Sequence, residues 1–127
     1  MATELLPCAT MSEWPRPEQR RKFERQVAAL AQSILNGDAS LVASAQQMEK
    51  LLYWLHLDPN QDPDAADFRL ISSETDHLPL GSERQYWATE ALAIKDVEIA
   101  HAEEWARGFG LETCRRLVQR FGHLTLR

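Results

Sequence analysis

Ser72-Ser73-Glu74-Thr75-Asp76-His77 is the densest polar constellation in the chain. Glu74, Asp76 and His77 bring two carboxylates and an imidazole close together, a donor set that suits Mn, Fe or Zn. Three ligands from one short segment rarely close a metal site, so donors must come from elsewhere. Glu98 and His101 form a Glu-x-x-His at i, i+3, with Glu104 farther along. Ferritin-like di-iron bundles use that motif on two helices, together with two further carboxylates. The long helix carries it once, and Glu49 and His56 do not share its spacing. A metal-dependent enzyme or metal sensor using Glu74, Asp76, His77, Glu98 and His101 is therefore the second reading of the chain.

Covalent chemistry has less support. Ser72 and Ser73 lie near His77, but no Gly-x-Ser-x-Gly elbow accompanies them. Cys114 falls on an apolar helical stripe and reads as a small core residue. The glycines form no phosphate-binding loop. No catalytic residue and no cofactor is assigned, and the chain reads as a non-enzyme. A purely architectural account of the constellation also exists. Ser72, Ser73, Thr75 and Asp76 can bond nearby backbone amides, and Glu74 or Asp76 can pair with Arg84.

The constellation sits inside a charge anomaly. Asp58, Asp62, Asp64, Asp67, Glu74, Asp76 and Glu83 face a single base, Arg69, giving this segment a net charge of about -6. The whole chain carries -5, so its acidity belongs to one segment. That acidity, with a pI near 5.3, argues against nucleic acid, whose binding requires clustered Lys and Arg. The basic runs Arg20-Arg21-Lys22 with Arg25, and Arg115-Arg116 with Arg120, read as solvated helix faces. At 127 residues the chain suits one domain with its own core. Cys8 and Cys114 read as two unpaired thiols in a reducing cytoplasm. The first residues lack the features of a signal peptide. No apolar run approaches the roughly 18 residues needed to span a bilayer. A cytoplasmic protein without membrane partners is expected.

The elements that position these groups follow from hydrophobic spacing. Residues 1–16 read as a lead-in, with Trp14 as its anchor. Pro17 suits the first position of a helix. Phe23, Val27, Leu30 and Ile34 then mark one helical face, which Asn36-Gly37 ends. Asp38 or Ser40 caps a second helix with Leu41, Ala45, Met48, Leu52 and Leu55 on its stripe. The short connection predicts an antiparallel pair. Pro59 to Asp64 then break the periodicity and read as a loop. Phe68-Arg69-Leu70-Ile71 could form a short strand, pairing with His123 to Leu126. Ser82 and Gln85 match a capping box. A helix from Thr89 to Arg107 carries two stripes, Leu92-Ile99-Ala102-Ala106 and Ile94-Val97-Trp105, implying more than one neighbour. Gly108 and Gly110 predict a break before a last helix of Leu111, Cys114, Leu117, Val118 and Phe121, ended by Gly122 in a left-handed cap. The expected fold is mostly α. It is a single-domain four-helix bundle-like architecture, with a long irregular acidic insertion between two helical halves. The domain runs over 17–122, and 123–127 form a tail.

From Phe68 onward the pattern Ser73-Glu74-Thr75-Asp76-His77-Leu78-Pro79, then Arg84, Trp87, Leu92, Glu104, Cys114 and Phe121, resembles a family of small uncharacterised bacterial helical proteins. That resemblance extends over Trp14 to Phe121 and implies a shared helical fold. In size and make-up the chain also resembles the immunity partners encoded beside bacterial contact-dependent toxins. The expected function is a protein-binding module, an immunity protein that neutralises a basic toxin or other enzyme in the bacterial cytoplasm. An acidic loop can occupy the basic cleft of an enzyme that acts on polyanions, speeding association and excluding wrong partners. The expected contact surface is Asp62, Asp64, Asp67, Glu74 and Asp76, joined by His77 and Arg84, with Arg69 and Trp87 as anchors. Tyr53-Trp54 or Tyr86-Trp87 is expected to show one ring at a surface rim.

Overall fold

The computed structural model describes residues 15–122; Trp14, Cys8 and the 123–127 tail lie outside them. Helix α1 is Pro17–Leu35, α2 is Leu41–Trp54, α3 is Pro63–Thr75 and α4 is Thr89–Phe121. A 3-10 turn, Ser82–Tyr86, precedes α4. No strand occurs among the described residues.

The first two helices follow their sequence signals. Pro17 occupies the first turn of α1, where a missing N–H costs nothing. At the other end Gly37, at φ +84°, closes a two-bond stop. Its N–H bonds Ile34 O at 3.1 Å, and the Asp38 N–H bonds Ser33 O at 2.9 Å. The Ser40 hydroxyl caps α2 by accepting from Ala43 N. His56 ends α2 with the same bond pattern, to Tyr53 O and with Leu57 bonding Leu52 O, although it must adopt φ +62° to do so.

The segment expected to be an irregular insertion is instead helix α3. Asp62 is its N-cap, accepting from Asp64 N and Ala65 N, and Pro63 stands at the first helical position. The residues that suggested a loop are thus helix-starting residues. Ala65, Phe68, Ile71, Ser72 and Thr75 form its buried face. Small and hydroxylated residues fill several of those positions, which weakens the apolar pattern. Thr75 removes the cost of burying its hydroxyl by donating to Ile71 O at 2.6 Å. The Phe68 to Ile71 strand does not form.

The expected break at Gly108 and Gly110 is also absent: α4 runs unbroken for 33 residues, about 50 Å at the α-helical rise. Gly110 serves packing. A Cβ there would lie 2.7 Å from Leu41 Cδ1, and Leu41 is fully buried. At Gly108 the same atom meets nothing within 4 Å. The final Gly122 is right-handed, at φ -66°, and not the left-handed cap expected. These surroundings predict opposite outcomes for two like substitutions. Gly108→Ala is expected to stabilise by about 1 kcal/mol, the helix-propensity difference. Gly110→Ala is expected to lose about 1 kcal/mol net, because overpacking outweighs that gain. Denaturant unfolding of both variants checks the pair, and equal effects would mean the α2–α4 approach is loose.

The core is built from Val27, Ala31 and Ile34 of α1, Leu41, Ala45, Met48 and Leu52 of α2, Phe68 and Ile71 of α3, and Ala106, Cys114 and Leu117 of α4. Every buried side chain of α4 lies between Ala106 and Leu117. The N-terminal half of α4 therefore extends past the core as an overhang.

Candidate functional site

The acidic segment does not present a free ridge. Asp64, whose side chain is only 5 % exposed, receives Arg116 Nε at 2.7 Å and Arg120 Nη1 at 2.8 Å. Asp67 accepts from Thr113 Oγ1 at 2.6 Å and from Arg116 Nη2 at 3.2 Å. Asp62 pairs with Arg120 Nη2 at 3.0 Å while capping α3. Three carboxylates at the start of α3 are thus clasped by two arginines at the end of α4. Burial opposes ionisation of Asp62. The Arg120 hydrogen bond and charge, with backbone donors Ala65 and Asp64, outweigh it and hold the carboxyl below its ordinary range. These bonds also correct the reading of Arg116 and Arg120 as a solvated face. Asp62, Asp64 and Asp67 were expected to meet a partner, and here they meet the protein's own guanidinium groups. Opposite charges one helix apart satisfy each other before any partner arrives.

The remaining sequence candidates lie elsewhere. Glu74, Asp76 and His77 are exposed at the end of α3, and Arg69 is exposed on its outer face. Arg84 does not pair with Glu74 or Asp76. It grips Asp96 of α4 through two bonds of 2.9 and 3.2 Å and donates to Pro79 O at 3.1 Å. That guanidinium holds the Asp96 carboxyl below its usual value. The expected Ser82 capping box is replaced by Gly81 at the N-cap, with Glu83 accepting from Leu80 N. His77 Nε2 stands 3.9 Å from Glu98 Oε1. Among the described residues no three His, Cys, Asp or Glu side chains converge on a point where a metal could bind. Glu74, Asp76, His77, Glu98 and His101 are therefore not gathered into one ligand set.

Cys114 is fully buried. Burial, reinforced by Asp64 and only partly offset by Arg115, pushes its thiol up to about 12, so it is no nucleophile at neutral pH.

One functional-looking carboxylate escaped the sequence reading. Glu103 of α4 reaches the start of α2, accepting from Ser40 Oγ at 2.8 Å, Leu41 N at 2.9 Å and Val42 N at 2.9 Å. A carboxylate there satisfies unpaired N–H groups and meets the positive end of the helix dipole. Its partner lies more than 60 positions away in the chain, so no local motif announces it. Glu103 fixes the base of the overhang to the core.

The outer side of α4 carries Ile94 and Val97 beyond that base and Trp105 beside it, which are 66 %, 57 % and 42 % exposed. Spacings of i, i+3 and i+11 put all three on one face, with His101 between them. The sequence reading expected this stripe to have a neighbour; Trp105 meets the edge of Phe109, with ring centroids 5.3 Å apart, while Ile94 and Val97 stay mostly exposed among the described residues. Glu90, Glu98 and Glu104 are exposed along the same side. The 3-10 turn before α4 adds Tyr86 and Trp87, both exposed. At the far end of α2, Tyr53, Trp54, His56, Leu57, Asp58 and Pro59 line an open recess of about 380 Å³. Trp54 there packs on Phe23 of α1, with ring centroids 5.1 Å apart. No helix among the described residues is long and apolar enough to cross a membrane. Comparison with family models, with curated proteins and with solved structures finds no match.

Proposed function

We propose that this chain is a protein-binding module whose docking face is the outer side of the α4 overhang. The observation that carries the reading is the exposure of Ile94, Val97 and, in part, Trp105 within an acidic frame among the described residues. Large apolar side chains grouped on one exposed face are the usual anatomy of an interface centre, and polar residues form its rim. Glu90, Glu98 and Glu104 supply that rim here, so the favoured partner is a protein whose contact surface is basic around an apolar centre. Trp105 is the natural anchor.

In its most specific form the proposal makes the chain an immunity protein that holds a toxic enzyme inactive in the bacterial cytoplasm. Its support is charge. With Asp62, Asp64 and Asp67 internally neutralised, Glu74, Asp76 and Glu83 still stand exposed, and His77, next to Asp76, lies 3.9 Å from the rim carboxylate of Glu98. An enzyme acting on polyanions offers a basic cleft that such a surface would attract. The contact surface accordingly moves from the start of α3 to the α4 overhang and the segment before it.

Recovery of a binding protein from the native host by the tagged full chain tests this, with Ile94→Asp/Val97→Asp in parallel. The double variant is expected to keep its melting temperature, since both positions are exposed, and to lose the partner recovered by the unaltered chain. Association should slow as salt rises. A partner retained equally by both proteins would place the docking face elsewhere.

A further inference from the structure

We propose that, without a foreign partner, the outer face of the α4 overhang docks head to tail onto the basic α1 face of a second copy of this chain. The inference rests on reading that overhang as a docking site, and it names the occupant.

The overhang does not suit pairing with itself. Two copies laid face to face would bring Glu90, Glu98 and Glu104 against their own equivalents, and like charges in apposition disfavour the contact. The complementary surface is on the same molecule. Arg21, Lys22 and Arg25 are exposed on α1, with Arg16 and Arg20 beside them. None of the five forms an ion pair among the described residues, whereas every arginine from Arg84 to Arg120 does. Among the described residues these cations, like the exposed Arg69 of α3, keep their charge unpaired, while Arg84 and the arginines of α4 are paired internally.

Position makes the contact intermolecular. Phe23 against Trp54 puts the start of α1 at the end of α2, while Glu103 holds the start of α2 at the base of the overhang. The 14 residues of α2 separate the two surfaces by about 20 Å. One copy cannot fold its overhang back onto its own α1 face. The basic end also offers apolar area, because the recess lined by Tyr53, Trp54 and Leu57 adjoins it. Cations beside an apolar recess match carboxylates around an apolar stripe. A contact between two different surfaces leaves one of each free, so it extends into chains or closes into a ring.

Sedimentation velocity on the full chain, over a range of concentrations at low and high salt, tests the proposal. The expected result is a mass that rises with concentration at low salt and falls to the monomer at high salt. Arg21→Glu/Arg25→Glu and Ile94→Asp/Val97→Asp should each weaken self-association at least tenfold, with unchanged melting temperatures. Mixing the two variants should yield a discrete 1:1 dimer, since each retains the surface the other lacks. A monomer at every concentration and salt would overturn the proposal. So would self-association of Arg21→Glu/Arg25→Glu at native strength, or failure of the mixed variants to pair. If the chain is monomeric but still captures a foreign protein through Ile94 and Val97, only this inference fails. Loss of both activities would remove the docking face itself.

Discussion

Asp64→Ala is expected to lower stability by about 2–3 kcal/mol, a large loss for a residue in a segment that resembles a surface loop. The carboxylate is buried and receives both Arg116 and Arg120. Its removal leaves two guanidinium groups that can only partly recover solvent, and Asp62 and Asp67 must then share them. For a domain of this size the melting temperature should fall by about 8–12 °C. Asp64→Asn keeps the shape and one acceptor, so it should cost less. The clasp also dictates an acid response. Asp62 ionises more readily in the folded chain than in the unfolded one, whose carboxyl has the ordinary value of 3.8. On acidification the unfolded chain binds that proton first, so the Asp62 contribution is complete above the ordinary value. It disappears as pH falls through the lower folded value. Urea unfolding across that acid range should show a shallower pH dependence in Asp62→Asn than in the unaltered chain.

Glu103→Ala is the second substitution with a large expected effect, about 2 kcal/mol. Two part-buried amides, Leu41 N and Val42 N, and the Ser40 hydroxyl lose their acceptor together. Leaving such donors unsatisfied costs about 1–3 kcal/mol, and the loss of negative charge at a helix start adds to it. Ser40 still caps Ala43 N at 3.1 Å, which limits the damage. Glu103→Gln retains an acceptor and should cost about half as much. Chemical denaturation of the three proteins checks the order. Equal stabilities for Glu103→Ala and the unaltered chain would show that Ser40 alone starts α2.

Where local chemistry decided the structure, the sequence could be read directly. Pro17, Asn36-Gly37 and Ser40 set the bounds of α1 and the start of α2, because each acts on its own turn of backbone. Reading failed where one residue type serves two purposes. Asp62-Pro63 resembles loop chemistry, yet here it is an N-cap followed by a first-turn proline. Gly110 resembles a helix breaker and is instead a close-approach residue against Leu41. A count of charges likewise could not foresee that Asp64 would find Arg116, a partner brought near only by tertiary packing. The stripe Ile94, Val97 and Trp105 was visible from its spacing, and the structure adds that Ile94 and Val97 are mostly exposed among the described residues. Tyr53 and Tyr86, expected at a surface rim, are both well exposed, at 74 % and 83 %. The acidity of the segment was therefore real, but Asp62, Asp64 and Asp67 spend their charge on Arg116 and Arg120 of α4.

A double-mutant cycle on Asp64 and Arg116 measures that internal commitment most directly. Unfolding free energies of Asp64→Ala, Arg116→Ala and the combined variant should give a coupling of about 1–3 kcal/mol, as expected for a contacting charged pair. Additive effects, within about 0.3–0.5 kcal/mol, would mean that Asp64 is not committed to Arg116. The acidic start of α3 would then be free to face a partner after all.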